Sequence, residues 1–292
     1  MMRRPSQRGV AVVTALLLTA LSVTLVAGIF WQQQIMVRGM EGQRLRLQAR
    51  LIARGALDAA RLRLLESAAA QGNVTTLDGA WSVPMFESRL ERFLGQEDAQ
   101  GQGGALAQQI ADAQASFNLR NLVAARQGGI DLYQTTAFAR LLAALNLNPA
   151  LAYRIAEAMA GAPLEVLQLD DLRGVPGLDG QVLARLRAFV VVLPAPTPVN
   201  VNTAPPEVLT AVANLSLAEA RVLAGRRRQA HFKGLSDFAF RLNDRETLEG
   251  VDYAVTSDYF LVRSTLTLAR ATLHSEALVR RGGAALVWVH DD

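Results

Sequence analysis

From Val10 to Phe30 the chain carries no charged side chain, and Arg3, Arg4 and Arg8 stand directly before that run. At ~1.5 Å per residue such a run makes a helix of roughly 30 Å, the thickness of a bilayer's hydrocarbon core. A cleaved secretory signal has an apolar region of ~7–15 residues closed by a small-x-small site. Here the run is longer and passes into a polar, helix-compatible segment that is expected to stay helical to about Ser67. The leader charges Arg3, Arg4 and Arg8 hold the N-terminus inside and send the remainder outward, and Trp31 sits where an interfacial anchor belongs. The first constraint on the fold is therefore a helix that begins in a membrane and continues into water.

Gly9 falls between the basic residues and the apolar run. The arrangement resembles the type IV prepilin leader, which a membrane aspartic peptidase cuts after the glycine on the cytoplasmic side. A residue without a side chain suits a protease that must grip an extended backbone close to a helix start. The resemblance implies cleavage between Gly9 and Val10, with the apolar helix left on the mature protein. The fifth residue after that cut is Thr14, where major pilins carry a glutamate. A carboxylate in the membrane costs a few kcal/mol unless it is paired. In pilins its partner is thought to be the terminal amine of a neighbouring subunit. A subunit at a filament tip has no neighbour above it, so a chain without the glutamate fits the tip rather than the shaft.

Composition narrows the function further. At 292 residues with 51% hydrophobic side chains, the chain has room for a real core and two domains. Three of the four net positive charges sit in the leader, which leaves the remainder close to neutral and unlike an electrostatic clamp for nucleic acid. There is no cysteine, so no disulfide and no thiolate metal site.

Along α-helical spacing after the membrane, Arg46, Arg50, Arg54 and Arg61 mark one face, and Leu47, Leu51, Leu62 and Leu65 form an adjacent apolar stripe. That stripe is expected to pack on the chain's own domain or on neighbouring helices. A short helix is expected near Met85–Leu94, a flexible loop over "GQEDAQGQGG", and a strand over "QIADAQASFNLRNLV". Six short amphipathic helices follow between Tyr133 and Arg245, in "TAFARLLAALNL", "PALAYRIAEAMAG", "DGQVLARLRAFVVVL", "PPEVLTAVANL", "LAEARVLAGRRRQ" and "LSDFAFRL". The period then changes: Phe260, Val262, Leu266 and Leu268 alternate with Leu261, Arg263, Thr265 and Thr267, and the pattern returns over 273–279 and 284–289. A helical domain inserted into an α+β domain explains this order.

The stretches "RGVAVVTALLLTALSVTL", "IADAQASFNLRNLV", "DDLRGVPGLDGQVLARLRAFVVVLP", "VNVNTAPPEVLTAV", "GRRRQAHFKGLSDF" and "VTSDYFLVRSTL" resemble the minor pseudopilin K family of the type II secretion system. The resemblance implies an α+β pseudopilin fold, with a long N-terminal helix on a small antiparallel sheet and a large inserted all-α domain. The expected division is a leader at 1–9, a transmembrane part at 10–30, and a periplasmic helix with the first part of the α+β domain at 31–132. The inserted domain, of SAM-like or helix-hairpin-helix-like type, is expected at 133–250, and the closing strands at 251–292. The implied place is the bacterial inner membrane, single-pass, with the C-terminal bulk in the periplasm. Implied partners are the minor pseudopilins I and J, other pseudopilins through them, the prepilin peptidase, secreted substrates and the secretin. Calcium is associated with the family's α+β domain, and Asp112 is the candidate ligand that this sequence retains. In "DAQASFNLR" the family's glutamate and last asparagine are missing.

A rival reading comes from the same insertion, which also resembles helix-hairpin-helix DNA-binding modules of membrane-anchored competence receptors. There a Gly-rich hairpin lets backbone N–H groups approach a phosphate. Gly174, Gly177 and Gly180 keep such a hairpin, whereas the second hairpin position reads Asn214, Leu215, Ser216; Arg226, Arg227 and Arg228 are the candidate backbone contacts. No nucleic acid is the expectation on balance. No catalytic residue is assigned either: His231, His274 and His290 lack metal-ligand spacing and no serine stands in a G-x-S-x-G elbow.

Overall fold

Helix α1 runs Arg8–Gln71, 64 residues and ~96 Å long. It belongs to a computed structural model that describes residues 8–72, 74–87, 104–124, 128–213, 215–242 and 251–291. From Val12 to Glu41 every side chain of α1 is exposed. Burial starts at Ala49 and follows Ile52, Ala53, Ala56, Leu57, Ala60 and Leu64. The face laid on the domain is thus mostly alanine, which lets the helix axis come close to a sheet. The expected stripe of Leu47, Leu51, Leu62 and Leu65 points the other way and stays 41–65% exposed. Large apolar residues marked the wrong face because the close approach selects for small ones.

After the helix the chain makes an edge strand β1 (Met85–Glu87) and then β2 (Gly104–Asp112), paired antiparallel through Phe86 and Ala107. The helix expected near Met85–Leu94 is therefore a strand at its start. Pro84 precedes it, and an edge is where a strand tolerates proline. The remainder of that stretch and the "GQEDAQGQ" loop lie outside the described residues.

The expected strand through Val123 stops at Asp112. There the Asp112 carboxylate accepts from the Gln114 N–H at 2.8 Å, and the Asn118 side chain accepts from the Arg120 N–H at 3.0 Å. Such local side-chain bonds compete with a ladder and turn the chain. It enters the insertion through β3 (Phe117–Asn118), α2 (Leu132–Ala144), α3 (Leu151–Gly161) and α4 (Gly180–Leu186). Asp131 and Asp179 cap α2 and α4, each accepting from backbone N–H groups of the first turn. The helix expected to reach Leu193 ends at Leu186, and the β-branched Val190–Val191 forms β4, parallel to β3. Then come β5 (Val199–Asn200), α5 (Pro206–Val212), α6 (Leu217–Gln229) with a Ser216/Glu219 capping box, and α7 (Leu235–Arg241). All six expected helices are present. Their core includes Phe138 stacked on Phe117 at 5.3 Å and Phe232 edge-on to Phe238 at 5.0 Å.

Strand β6 (Tyr253–Ala254) pairs parallel with β5, and the chain returns to the sheet as β7 (Tyr259–Leu268), β8 (Ala271–Arg280) and β9 (Ala285–Asp291). The five-stranded order is β1-β2-β7-β8-β9, antiparallel throughout. Phe260, Val262, Leu266 and Leu268 are buried, as the alternation predicts. Phe260 meets the Trp81 edge at 5.1 Å, in a cluster with Leu57, Ala60 and Leu64 of α1. Each buried Leu, Val or Phe of this cluster contributes about 1.5–3 kcal/mol.

Candidate functional site

Two regions carry the residues singled out above: the membrane end of α1 and the junction between sheet and insertion. At the membrane end, Arg3 and Arg4 lie outside the described residues. Arg8, Gly9 and Val10 make the first turn of α1, with Thr14 one turn further along. Thr19, Ser22 and Thr24 donate their hydroxyls to the carbonyls of Ala15, Leu18 and Ala20. Those bonds satisfy each polar group within the helix, as a lipid surrounding requires. Trp31 is 70% exposed where the uncharged run ends. By length and composition this helix is apolar enough to cross a membrane.

At the junction the centre is Asp112, at the last residue of β2. One carboxylate oxygen takes the Gln114 N–H; the other accepts from Asn200 Nδ2 at 3.0 Å, from Ser257 Oγ at 2.6 Å and from the Thr203 hydroxyl. Asn200 also donates to the Thr75 carbonyl, while the Thr75 hydroxyl accepts from the Ser257 N–H and from Arg281. Segments distant in sequence thus meet on one buried carboxylate: the turn after α1, the end of β2, the entry to α5 and the return to β7. Burial pushes the Asp112 pKa up, and the bonds from Ser257, Thr203, Gln114 and Asn200 pull against it; the net direction is upward.

A second layer explains the "LPAPTPVNVN" stretch. Pro194, Pro196 and Pro198 remove every second N–H, so this segment cannot hold an ordinary ladder. Side-chain amides take over. Asn118 donates to the Ala195 carbonyl at 2.8 Å and accepts from the Leu193 N–H at 3.1 Å. Asn121 both donates to the Thr197 carbonyl and accepts from its N–H. Gln114 donates to the Pro198 carbonyl and accepts from the Asp258 N–H. From the far side, Asn202 exchanges a pair of bonds with the Phe232 backbone, and Arg227 donates to the carbonyls of Val201 and Ala204.

Asp112 is also the candidate calcium ligand, and its described surroundings can be set against what that ion requires. Calcium takes 6–8 oxygen ligands, including carboxylates. Asp112 already accepts from four N–H and O–H donors, and among the described residues no second carboxylate joins the network. Among the described residues no group of three His, Asp or Glu side chains comes together. The described residues here do not gather the donor set that the ion needs, and Asp112 ties the sheet to the insertion through its bonds to Asn200, Thr203 and Ser257.

Of the nucleic-acid candidates, Arg227 is engaged internally, whereas Arg226 and Arg228 are exposed. Arg227 is 8% exposed, and burial, with Arg228 adding a little, lowers its pKa to about 10. The Gly174–Gly180 turn packs on α3: Gly177 has φ +85°, a Cβ there would sit 3.1 Å from Leu151, and Arg154 bonds the Pro176 carbonyl. Asn214 lies outside the described residues. Of the histidines, His274 contacts the Thr265 hydroxyl beside the Arg263–Glu276 ion pair on the sheet's outer surface.

Comparisons agree with the architecture. The family model described as "Type II secretion system (T2SS), protein K" matches residues 199–263, which include the Asn200–Thr203 half of the junction. The chain is 29% identical to "Type II secretion system protein K" of Pseudomonas aeruginosa, over 91% of this chain and 86% of that one. It is 26% identical to the protein of the same name from Klebsiella pneumoniae, over 98% and 99% of the two. Among solved structures it is similar to a chain in "The Crystal Structure of the GspK-GspI-GspJ complex from enterotoxigenic Escherichia coli Type 2 Secretion System". The TM-score is 0.67 at 22% identity, covering 87% of this chain and 99% of that chain. The fold is shared. Nothing in these comparisons supports the competence-receptor reading.

Proposed function

Because this chain is a member of the type II secretion system protein K family, we propose that it works as a minor pseudopilin at the tip of the pseudopilus, capping or initiating the filament with the minor pseudopilins I and J. The observation that carries this reading is α1. It is one unbroken helix, lipid-compatible over its first turns, that ends packed beneath a sheet bearing a rigidly joined helical insertion. A helix of that kind is both anchor and assembly element. Its bulk, held at the far end by the Asp112 junction, is placed for capping rather than for repeating.

On this reading the leader 1–9 is removed after Gly9 by the prepilin peptidase. The mature helix holds the chain in the inner membrane, with the remainder in the periplasm. Thr14, in place of a membrane carboxylate, leaves no charge that a subunit above would have to neutralise. The mechanism is mechanical: filament growth beneath the cap pushes folded cargo towards the secretin. The role asks for no catalytic group, in keeping with a family of secretion components.

The test is genetic and biochemical together. Deleting the gene is expected to abolish export of folded cargo while leaving it in the periplasm, and the full-length chain supplied in trans is expected to restore export. Solubilised membranes should yield the chain with its I and J counterparts. Normal export from the deletion strain would end the proposal.

A further inference from the structure

Helix α1 is supported at both ends and bare in between. Through Phe30 it is apolar enough for lipid, and the domain takes hold at Leu45, which packs with Ala49 and Ile52 against Leu266 and Leu268. From Trp31 to Glu41 every side chain is exposed. Gly39 and Gly42 fall at the end of this bare stretch. Glycine is the poorest helix former after proline, because it gives up the most backbone freedom on folding. Both glycines are helical and neither has a positive φ, so no turn asks for them. A Cβ at either would meet nothing within 4 Å among the described residues, so no close approach asks for them either. What they leave is a locally weak helix, and glycines are among the few places where long helices bend sharply.

One side chain of the domain reaches the same turn of α1. Strands β7 and β8 are joined by Ala269 and Arg270, with Leu268 paired to Ala271 across the turn. Ala269 takes φ +51°, in the left-handed region that a tight hairpin turn needs, so the direction of the tip is fixed. From that tip Arg270 donates through Nη2 to the Arg38 carbonyl and to Glu41 Oε2, both at 3.4 Å. In α-helical pairing the Arg38 carbonyl is the acceptor for the Gly42 N–H, so Arg270 grips the bond that a bend at Gly39–Gly42 would open. The side chains of Arg270 and Glu41 are 58% and 60% exposed, which makes the grip weak and sensitive to salt. A weak clamp over a weak turn is a reversible one.

We propose that Gly39–Gly42 is a hinge in α1 and that Arg270 latches it, so that the folded domain tilts about its membrane anchor when the latch opens. The hinge and latch stand on α1 and the β7–β8 turn. Their use, to let a membrane-held subunit swing its bulk into line with a filament, rests on the pseudopilin reading.

The chain has no cysteine, so spin labels can be placed at Gln33→Cys and Thr267→Cys, exposed positions on either side of the hinge, in the full-length chain in lipid nanodiscs. A narrow distribution of label distances is expected at about 0.05 M salt. A second, shifted population should be several-fold larger at about 0.5 M, where the screening length falls to ~4 Å. Arg270→Ala should show the larger second population at both salts. Gly39→Ala with Gly42→Ala should lose it, and should slow amide exchange over 42–46 several-fold. Protease resistance of the domain checks the fold of each variant. Label distances indifferent to Arg270→Ala would overturn the latch. Exchange and distances unchanged by the two alanines would overturn the hinge, even if export fell, since the glycines would then serve contact with another chain. Export from the alanine variant is expected to drop several-fold. If deletion abolishes export while the stiffened variant exports fully, the hinge has no part in assembly and the function stands; if deletion leaves export intact, the function itself fails.

Discussion

Gly9→Leu is expected to leave the chain uncleaved, with residues 1–9 still present by N-terminal sequencing, and to stop export of cargo. Two physical effects act together. Arg8, Gly9 and Val10 are helical in the uncleaved chain, so a protease that needs an extended backbone must first unwind that turn. Glycine in a helix is less stable than alanine by ~1 kcal/mol, which makes the turn at position 9 the easiest to open. Leucine removes that advantage and adds a side chain where the protease closes on the backbone. Gly9→Ala removes the same ease of unwinding but adds only a methyl group where the protease closes, and should be processed slowly. Full processing of the leucine variant with normal export would overturn the cleavage assignment at Gly9–Val10.

The second large effect is expected at the junction. Asp112→Ala removes the acceptor of four buried bonds at once and leaves the Gln114 N–H without a partner. The cost of stranding buried donors is about 1–3 kcal/mol each before relaxation, so a total loss of about 3 kcal/mol is expected in denaturant unfolding. Asp112→Asn keeps the shape and separates size from ionisation. Because the folded pKa of Asp112 is raised, the folded chain holds this proton more tightly than the unfolded chain does. Its stabilising contribution is full below the ordinary carboxylate range, near pH 4, and is lost as the pH rises through the folded value. The asparagine variant should therefore lose less stability than wild type on going from about pH 4 to pH 8. An alanine variant as stable as wild type would show that Asp112 anchors nothing.

How much of this was legible beforehand depends on which residues carry the signal. The membrane run, the six helices and the strands from Phe260 to Leu268 announce themselves by period, because large side chains alternate or recur there. The buried face of α1 did not, since its message is written in Ala49, Ala53, Ala56 and Ala60, and alanine looks indifferent in a sequence. The end of β2 at Asp112 was hidden for another reason. "DAQASFNLRN" keeps strand-like spacing, while its Asp and Asn side chains bond their own backbone and divert it. The junction itself was the least visible part. Gln114, Asn118 and Asn121 look like surface residues until they are set against the three alternate prolines at 194, 196 and 198, and that pairing spans some eighty positions. Arg227 hid inside a run of three arginines that composition alone reads as solvated.

The order of the strands bears on how such a chain reaches its fold. Strands β2 and β7 are neighbours in the sheet, register-matched from Gly104 against Leu268 to Asp112 against Phe260, yet the whole insertion lies between them. Closing a loop of that length before anything else has formed costs roughly 3 kcal/mol more in chain entropy than closing a tight hairpin. Once the insertion has folded, its two ends are tied across the Asp112–Ser257 bond, and β2 and β7 meet as though a short turn joined them. The insertion then serves as a splint that sets the sheet's register from outside. Pulsed hydrogen exchange during refolding should find α2, α3 and α5 protected before β7; protection of β7 first would mean that the sheet needs no splint.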